Sequence, residues 1–143
     1  MKLGTVLVLF ILLAAVTHAF KMNEPIRSLD SVDLNITNNT RDITFGLASL
    51  EGNAEWPLPG GILPPNGGSN LLRLEIDAFR NDLFGRYLAF RMDAFIGEFE
   101  FRFRCDNLGL RFNTFKVLFN SAPIVIGGNS PTDIIITDKP AFR

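Results

Sequence analysis

Residues 98–105 read EFEFRFRC, so apolar and charged side chains alternate at every position. Phe99, Phe101, Phe103 and Cys105 fall on one side of this segment, and its glutamates and arginines fall on the other. A two-residue period is typical of a β-strand with one buried face, whereas a helix would spread the aromatic rings around its circumference. The segment therefore predicts a strand whose aromatic face lies in a core.

Alternation of the same kind extends over most of the chain. It predicts strands near residues 32–38, 42–50, 70–79, 86–95, 97–105, 108–112, 114–120, 122–127 and 133–138. In three of them the inward face is assigned to Leu72, Leu74 and Ile76, to Leu88, Phe90 and Met92, and to Leu108, Leu110 and Phe112. Ile96-Gly97 predicts a tight hairpin, and residues 80–84 one helical turn at most. The fold class is all-β: a single antiparallel β-sandwich of about eight or nine short strands.

The first nineteen residues have the character of a cleaved signal peptide. Lys2 is followed by an apolar run and by the small residue Ala19, and the run is too short to span a bilayer of about 30 Å. Cleavage would remove His18, the only histidine, and would leave a single cysteine. Histidine-based catalysis, histidine-ligated zinc and an intrachain disulfide are then excluded. The chain is expected to be secreted and extracellular.

The rest of the chain divides into a flexible leader at 20–31 and a sandwich domain at 32–143. Within the domain, residues 51–69 contain four prolines and five glycines, which rule out a continuous ladder there. We expect this segment to be an irregular crossover between the sheets, and a ligand-contacting loop is the alternative.

Stability without disulfides must come from the core, and thirteen phenylalanines remain after residue 19. Each ring stabilises the fold by about 1.5–3 kcal/mol when fully buried. The same residues carry 15 carboxylates against 13 basic side chains, so the surface has no basic surplus to neutralise phosphates. Nucleic acid is therefore excluded as a partner, and no cofactor is expected.

Three further features could carry chemistry. Glu98 and Glu100 share one strand face at a spacing open to a carboxylate pair, but Arg102 and Arg104 follow on that face, which favours a solvated, ion-paired surface. The aspartates near turns form no dense cluster, which disfavours calcium, and no metal site is predicted. Cys105 is predicted to be a buried, unreactive thiol, with an intermolecular disulfide as the alternative.

Two N-glycosylation sequons begin at Asn35 and Asn38, and they matter only in a eukaryotic source. Asn35 alternates with apolar neighbours, so its side chain is predicted to point outward. Asn38 lies near a predicted strand end. Sequons three residues apart are seldom both occupied.

Part of the chain resembles aegerolysin-like proteins. The resemblance rests on spacing in FRFRCDN at 101–107, LNITNNT at 34–40 and the Gly85-Arg86-Tyr87 entry into a strand, followed by Gly109, Asn113, Phe115 and Val117. It implies a small β-sandwich that binds membrane lipid, often together with a larger pore-forming partner.

These observations favour a secreted, non-enzymatic module that binds lipid or glycan headgroups through end loops. Trp56 and Tyr87 are the candidate aromatic contacts and Arg91 is the candidate polar contact, because amphipathic rings suit such boundaries. The alternative is a structural or self-assembling extracellular protein, for which the runs at 124–126 and 134–136 would supply apolar edges. A glycosidase built on Glu98 and Glu100 is a remote third hypothesis.

Overall fold

The computed structural model describes residues 30–57 and 60–141. The predicted signal peptide and nearly all of the predicted leader lie outside these residues. The described part is all-β, and its strands are Ser31–Asn38 (β1), Thr44–Glu51 (β2), Ile62–Leu63 (β3), Gly68–Glu75 (β4), Arg80–Arg91 (β5), Ala94–Asn107 (β6), Arg111–Asn120 (β7), Ile124–Ser130 (β8) and Asp133–Asp138 (β9).

The strands form two sheets that share one core. One sheet has the order β4-β1-β9-β8, and the other has the order β3-β2-β5-β6-β7. All neighbouring pairs are antiparallel except β1 and β9, which run parallel. The predicted all-β sandwich is confirmed, with one parallel pair where only antiparallel ones were expected.

The core follows the alternation read from the sequence. Phe99, Phe101, Phe103 and Cys105 are all fully buried, as predicted. On β4, the inward face of leucines predicted from residues 70–79 is also confirmed. Rings stack across the five-stranded sheet from Tyr87 through Phe101 to Phe115, with neighbouring centroids 6.3 and 5.2 Å apart. Aromatic burial therefore connects the middle of this sheet to its last strand.

The β5–β6 hairpin exists, but its turn and its inward face differ from the prediction. The turn is formed by Met92 and Asp93, both with positive φ, rather than by Ile96-Gly97. Tyr87 pairs with the buried Phe99, so Tyr87 faces the core and the predicted inward face is the outer one. Both faces of this segment carry apolar residues, so only the pairing register could decide between them.

Two other local predictions are wrong. Residues 80–84 belong to β5 and form no helical turn. Residues 108–110 form a turn between β6 and β7, in which Gly109 has a φ of +90°. The side chains of Leu108, Leu110 and Phe112 are exposed rather than buried, because they lie at the far end of the long β6–β7 hairpin.

Candidate functional site

Trp56 is half exposed and lies at the β3 edge of the five-stranded sheet. Its indole covers Gly61, where an added Cβ would come within 2.9 Å of the ring. The segment that carries Trp56 is anchored along the sandwich: Ala54 bridges to Leu74, and the amide of Leu47 donates to the carbonyl of Gly61 at 2.7 Å. The crossover interpretation of residues 51–69 therefore describes the packing, while Trp56 remains accessible.

Tyr87 cannot be the surface contact that the sequence analysis assigned to it. The side chain is fully buried, and burial raises its pKa to about 12. In the orientation that satisfies the Asn70 amide, the hydroxyl donates to Asn70 Oδ1 at 2.9 Å and Asn70 Nδ2 donates to the carbonyl of Gly60 at 3.1 Å. Tyr87 thus ties the proline-rich segment to the core.

Arg91 lies where β5 enters its turn, at the end of the sandwich that also holds the β1–β2 loop. Its Nε is 3.2 Å from Asp42 Oδ2. A shallow cavity of about 440 Å³ at this end is lined by both residues together with Arg41, Asp138 and Lys139. The structure therefore places Arg91 among end loops and surrounds it with charges of both signs.

An apolar surface that the sequence analysis missed lies at the same end. We call Ile62, Leu88, Phe90, Met92 and Phe95 the hairpin-end patch. Met92 is 93% exposed, Ile62 62% and Phe95 58%. The patch was missed because Leu88, Phe90 and Met92 were assigned to the core.

The hairpin-end patch is continuous across strands. The rings of Phe90 and Phe95 meet edge to face with centroids 6.1 Å apart. Phe90 and Ile62 both border Gly46, where an added Cβ would lie 3.9 and 4.0 Å from their side chains. The missing side chain of Gly46 leaves a depression between them. Trp56 borders the patch, since the glycine that it covers directly precedes Ile62.

The charges around the patch balance. Arg41, Arg91 and Lys139 lie near Asp42 and Asp138, and the backbone amide of Arg41 donates to the Asp138 carboxylate at 2.9 Å. Asp93 in the hairpin turn adds a third carboxylate. The rim therefore presents polar groups of both signs and no excess of either.

The paired glutamates lie on the outer face of the five-stranded sheet, where Glu98 is the cross-strand partner of Leu88 in the hairpin-end patch. Glu98 and Glu100 both contact the guanidinium of Arg86. Cross-strand pairs join Arg80 to Asp106 and Arg104 to Asp82 on the same face. These contacts form the ion-paired sheet exterior that the alternating charges favoured.

The two sequons have different surroundings. Asn35 is partly exposed on the outer face of β1. Asn38 is fully buried, and its Nδ2 donates to the carbonyls of Ile43 and Leu63 at 2.7 and 3.0 Å. Because a glycan is attached through that nitrogen, Asn38 cannot carry one in this fold, and the sequence-based candidate is corrected to Asn35 alone.

Cys105 is a free, buried thiol, and desolvation by burial raises its pKa. In the part of the chain that the structure describes, no group of three or more His, Cys, Asp or Glu side chains is arranged to hold a metal ion. Those same residues contain no helix of sufficient length and apolarity to cross a membrane.

Comparison with known proteins assigns no relatives. No family model matches the chain, and no curated protein or solved structure is significantly similar to it.

Proposed function

We propose that this protein is a secreted, non-enzymatic module that binds membrane lipid through the hairpin-end patch. The observation that carries the proposal is the exposure of Met92, Phe95 and Ile62 side by side at one end of the sandwich. Large apolar side chains grouped in this way mark interaction surfaces, whereas single exposed ones are ordinary.

The chemistry of the patch suits shallow insertion into a bilayer. Each large apolar side chain gains about 1.5–3 kcal/mol when it leaves water completely. Met92 and Phe95 lie at or beside a two-residue turn between paired strands, so little backbone freedom is lost when they insert. Trp56 borders the patch, and indole rings favour the boundary between headgroups and acyl chains.

The balanced rim indicates which lipids suit the site. Three basic and three acidic side chains lie at this end of the sandwich, so anionic headgroups gain little over zwitterionic ones. Arg91 can donate to a phosphate while the acidic side chains attract the quaternary ammonium group electrostatically. Binding should therefore survive high salt, which screens long-range attraction. The resemblance to aegerolysin-like proteins implies the same class of ligand.

Flotation with phosphatidylcholine vesicles tests the proposal. Met92→Asp should lower the bound fraction at least tenfold, because a carboxylate would replace the most exposed apolar group, and Trp56→Ala should lower it less. Leu108→Asp is the matched control, since Leu108 is an exposed turn residue at the opposite end and its substitution should leave binding unchanged. The proposal would be refuted if the wild-type protein did not bind vesicles, or if the Met92 and Leu108 variants lost equal amounts of binding.

A glycan array tests the other recognition hypothesis, in which the ligand is a glycan headgroup. Binding to glycans without binding to vesicles would replace the lipid by a sugar ligand. The remote glycosidase hypothesis has its own test: hydrolysis of glycosides that is abolished by Glu98→Gln or Glu100→Gln would support an enzyme.

A structural, self-assembling protein is the second candidate function. The runs at 124–126 and 134–136 favour it less than expected, because Ile124, Ile134 and Ile136 are buried and only Val125 is strongly exposed among the large side chains of β8. The exposed apolar side chains that favour self-assembly lie instead on β7.

A further inference from the structure

β7 is an outer strand of the five-stranded sheet, and it has few of the features that protect sheet edges. It is ten residues long, contains no proline or glycine, and carries one charged side chain, Lys116, between its first residue and its last. Short length, proline and several charges are the usual safeguards against pairing with another strand. Among residues 30–57 and 60–141 no strand pairs with the other side of β7, so within this part of the chain its backbone is open to a further strand.

The side chains of β7 are apolar on both faces. On the outer face Phe112, Leu118 and Phe119 are 58%, 44% and 48% exposed. On the inner face Phe115 and Val117 line a groove of about 370 Å³ that opens between β7 and the β8–β9 hairpin. The stacked aromatic row that crosses the sheet ends at Phe115. Among the described residues, no further ring stacks on Phe115 from the edge of the sheet.

We propose that this edge pairs with the β7 strand of a second copy of the chain, antiparallel about a two-fold axis at Phe115. In that register Phe112 lies beside Leu118 of the second copy, and the two Phe115 rings are neighbours. Lys116 lies beside Thr114 of the second copy. In the centre of β7, Phe112 and Leu118 then meet each other and the two Phe115 rings extend the aromatic stack, while Val117 lies beside Asn113 of the second copy.

The neighbouring registers are less favourable. A two-fold axis at Lys116 sets two ammonium groups directly opposite each other, which is destabilising. An axis at Thr114 sets Lys116 against Phe112 and Val117 against Arg111. The charge pattern of the strand thus favours one register for pairing with a second copy, and the small net charge of the chain adds little repulsion between copies.

The size of the surface agrees with a weak pair. A standard interface buries about 800 Å² on each partner. The side chains of β7 offer less than this, because Phe112, Phe119 and Leu118 are already about half buried and Phe115 is more deeply buried. The pairing would join the two sheets into one sheet of ten strands.

Sedimentation of the full secreted chain up to about 1 mM tests the proposal, because this range covers even a weak interface. We expect a monomer–dimer equilibrium. Thr114→Lys should weaken it about tenfold, since it creates two like-charge pairs in each dimer, and Thr114→Glu should strengthen it about tenfold through two pairs with Lys116. Ser69→Lys and Ser69→Glu are matched controls on the exposed face of β4 and should change nothing.

Hydrogen exchange at the open amides of β7 identifies the occupant of the edge. Protection that grows with protein concentration supports a second copy. Protection that is complete in the monomer would show that another part of the same chain covers β7, and would overturn the proposal. A monomer at every concentration, or charge variants at residue 114 that behave like their controls at residue 69, would overturn it as well.

Discussion

The two edge strands of the five-stranded sheet differ in length and in how far they are exposed. β3 consists of two residues between prolines, and one of them, Leu63, is fully buried. β7 consists of ten residues, most of them exposed. One edge is covered by an irregular segment of the same chain, and the other meets no further strand in the part of the chain that the structure describes.

This difference shows that the two edges of one sheet, in a sandwich without disulfides, are held by different kinds of contact. The β3 edge is held by side chains that satisfy buried backbone groups: Asn38 bonds the carbonyl of Leu63, and Asn70 bonds that of Gly60. The β7 edge is held by its antiparallel backbone ladder with β6, and no further strand among the described residues pairs with its other side. We therefore expect substitutions near β3 to affect folding, and substitutions on β7 to affect association.

The largest effect should come from the buried amide beside β3. Asn38→Ala would orphan the carbonyl of Leu63 and the amide of Thr40, and should lower the free energy of unfolding by about 4 kcal/mol. Asn35→Ala on the exposed face of the same strand is the control and should change it by less than about 0.5 kcal/mol. Urea denaturation measures both. Equal effects would mean that Asn38 does not hold this edge.

Truncation of one apolar residue on each edge compares them directly. Leu63→Ala on β3 should lower the free energy of unfolding by about 3 kcal/mol, because Leu63 is fully buried. Val117→Ala on β7 should lower it by about 1 kcal/mol or less, because Val117 already contacts water. Thermal or urea unfolding would give both values, and a larger loss for Val117 would break the comparison.

Alkali should destabilise the aromatic row that runs between the edges. Burial raises the pKa of Tyr87 to about 12, whereas an unfolded tyrosine titrates near 10. The unfolded state therefore loses its proton first, and stability present below about pH 10 should fall by between about 2 and 3 kcal/mol as the pH approaches 12.

Unfolding midpoints measured across this range check the prediction, and Tyr87→Phe provides the control. The variant lacks the phenolic proton, so its alkaline loss should be smaller, although it should be about 1 kcal/mol less stable at neutral pH because Asn70 loses a partner. An identical alkaline loss in the variant would assign the effect to other groups.

The smallest effect on folding is expected on the open edge. Phe112→Ser should change the free energy of unfolding by no more than about 0.5 kcal/mol, because the ring is exposed. The same substitution should reduce light scattering at high protein concentration, since it removes an apolar contact from β7. Unchanged scattering together with lower stability would reverse the roles given to the two edges.

Whether the inward face of a strand was predicted correctly depended on whether its apolar side chains fall on one face or on both. Residues 98–105 alternate phenylalanine with charge, so their inward face could be predicted, and it was. Residues 87–93 carry apolar side chains on both faces, and their inward face was predicted wrongly. The hairpin-end patch was lost through that error, and no single-residue signal would have recovered it, because Met-Asp is an unusual turn pair.

The positions that the structure gives to the predicted contact residues also have physical reasons. Trp56 is accessible because it lies on the crossover between two edges, and Arg91 lies among end loops because β5 ends there. Tyr87 was misplaced because a tyrosine can face either side of a strand, and only pairing with β6 set its direction. Asn38 has an intact sequon, yet the folded chain uses its amide internally.

The sequence by itself determined that this chain forms strands and that Phe99, Phe101 and Phe103 lie in the core, because a two-residue period leaves a charged face that cannot be buried. It did not determine that most of the other phenylalanines are exposed or only partly buried. Only the tertiary structure decided which sheet edge is closed and which is open, and which face of β5 meets water. These properties depend on strand order and register, which are set by contacts between segments far apart in the chain.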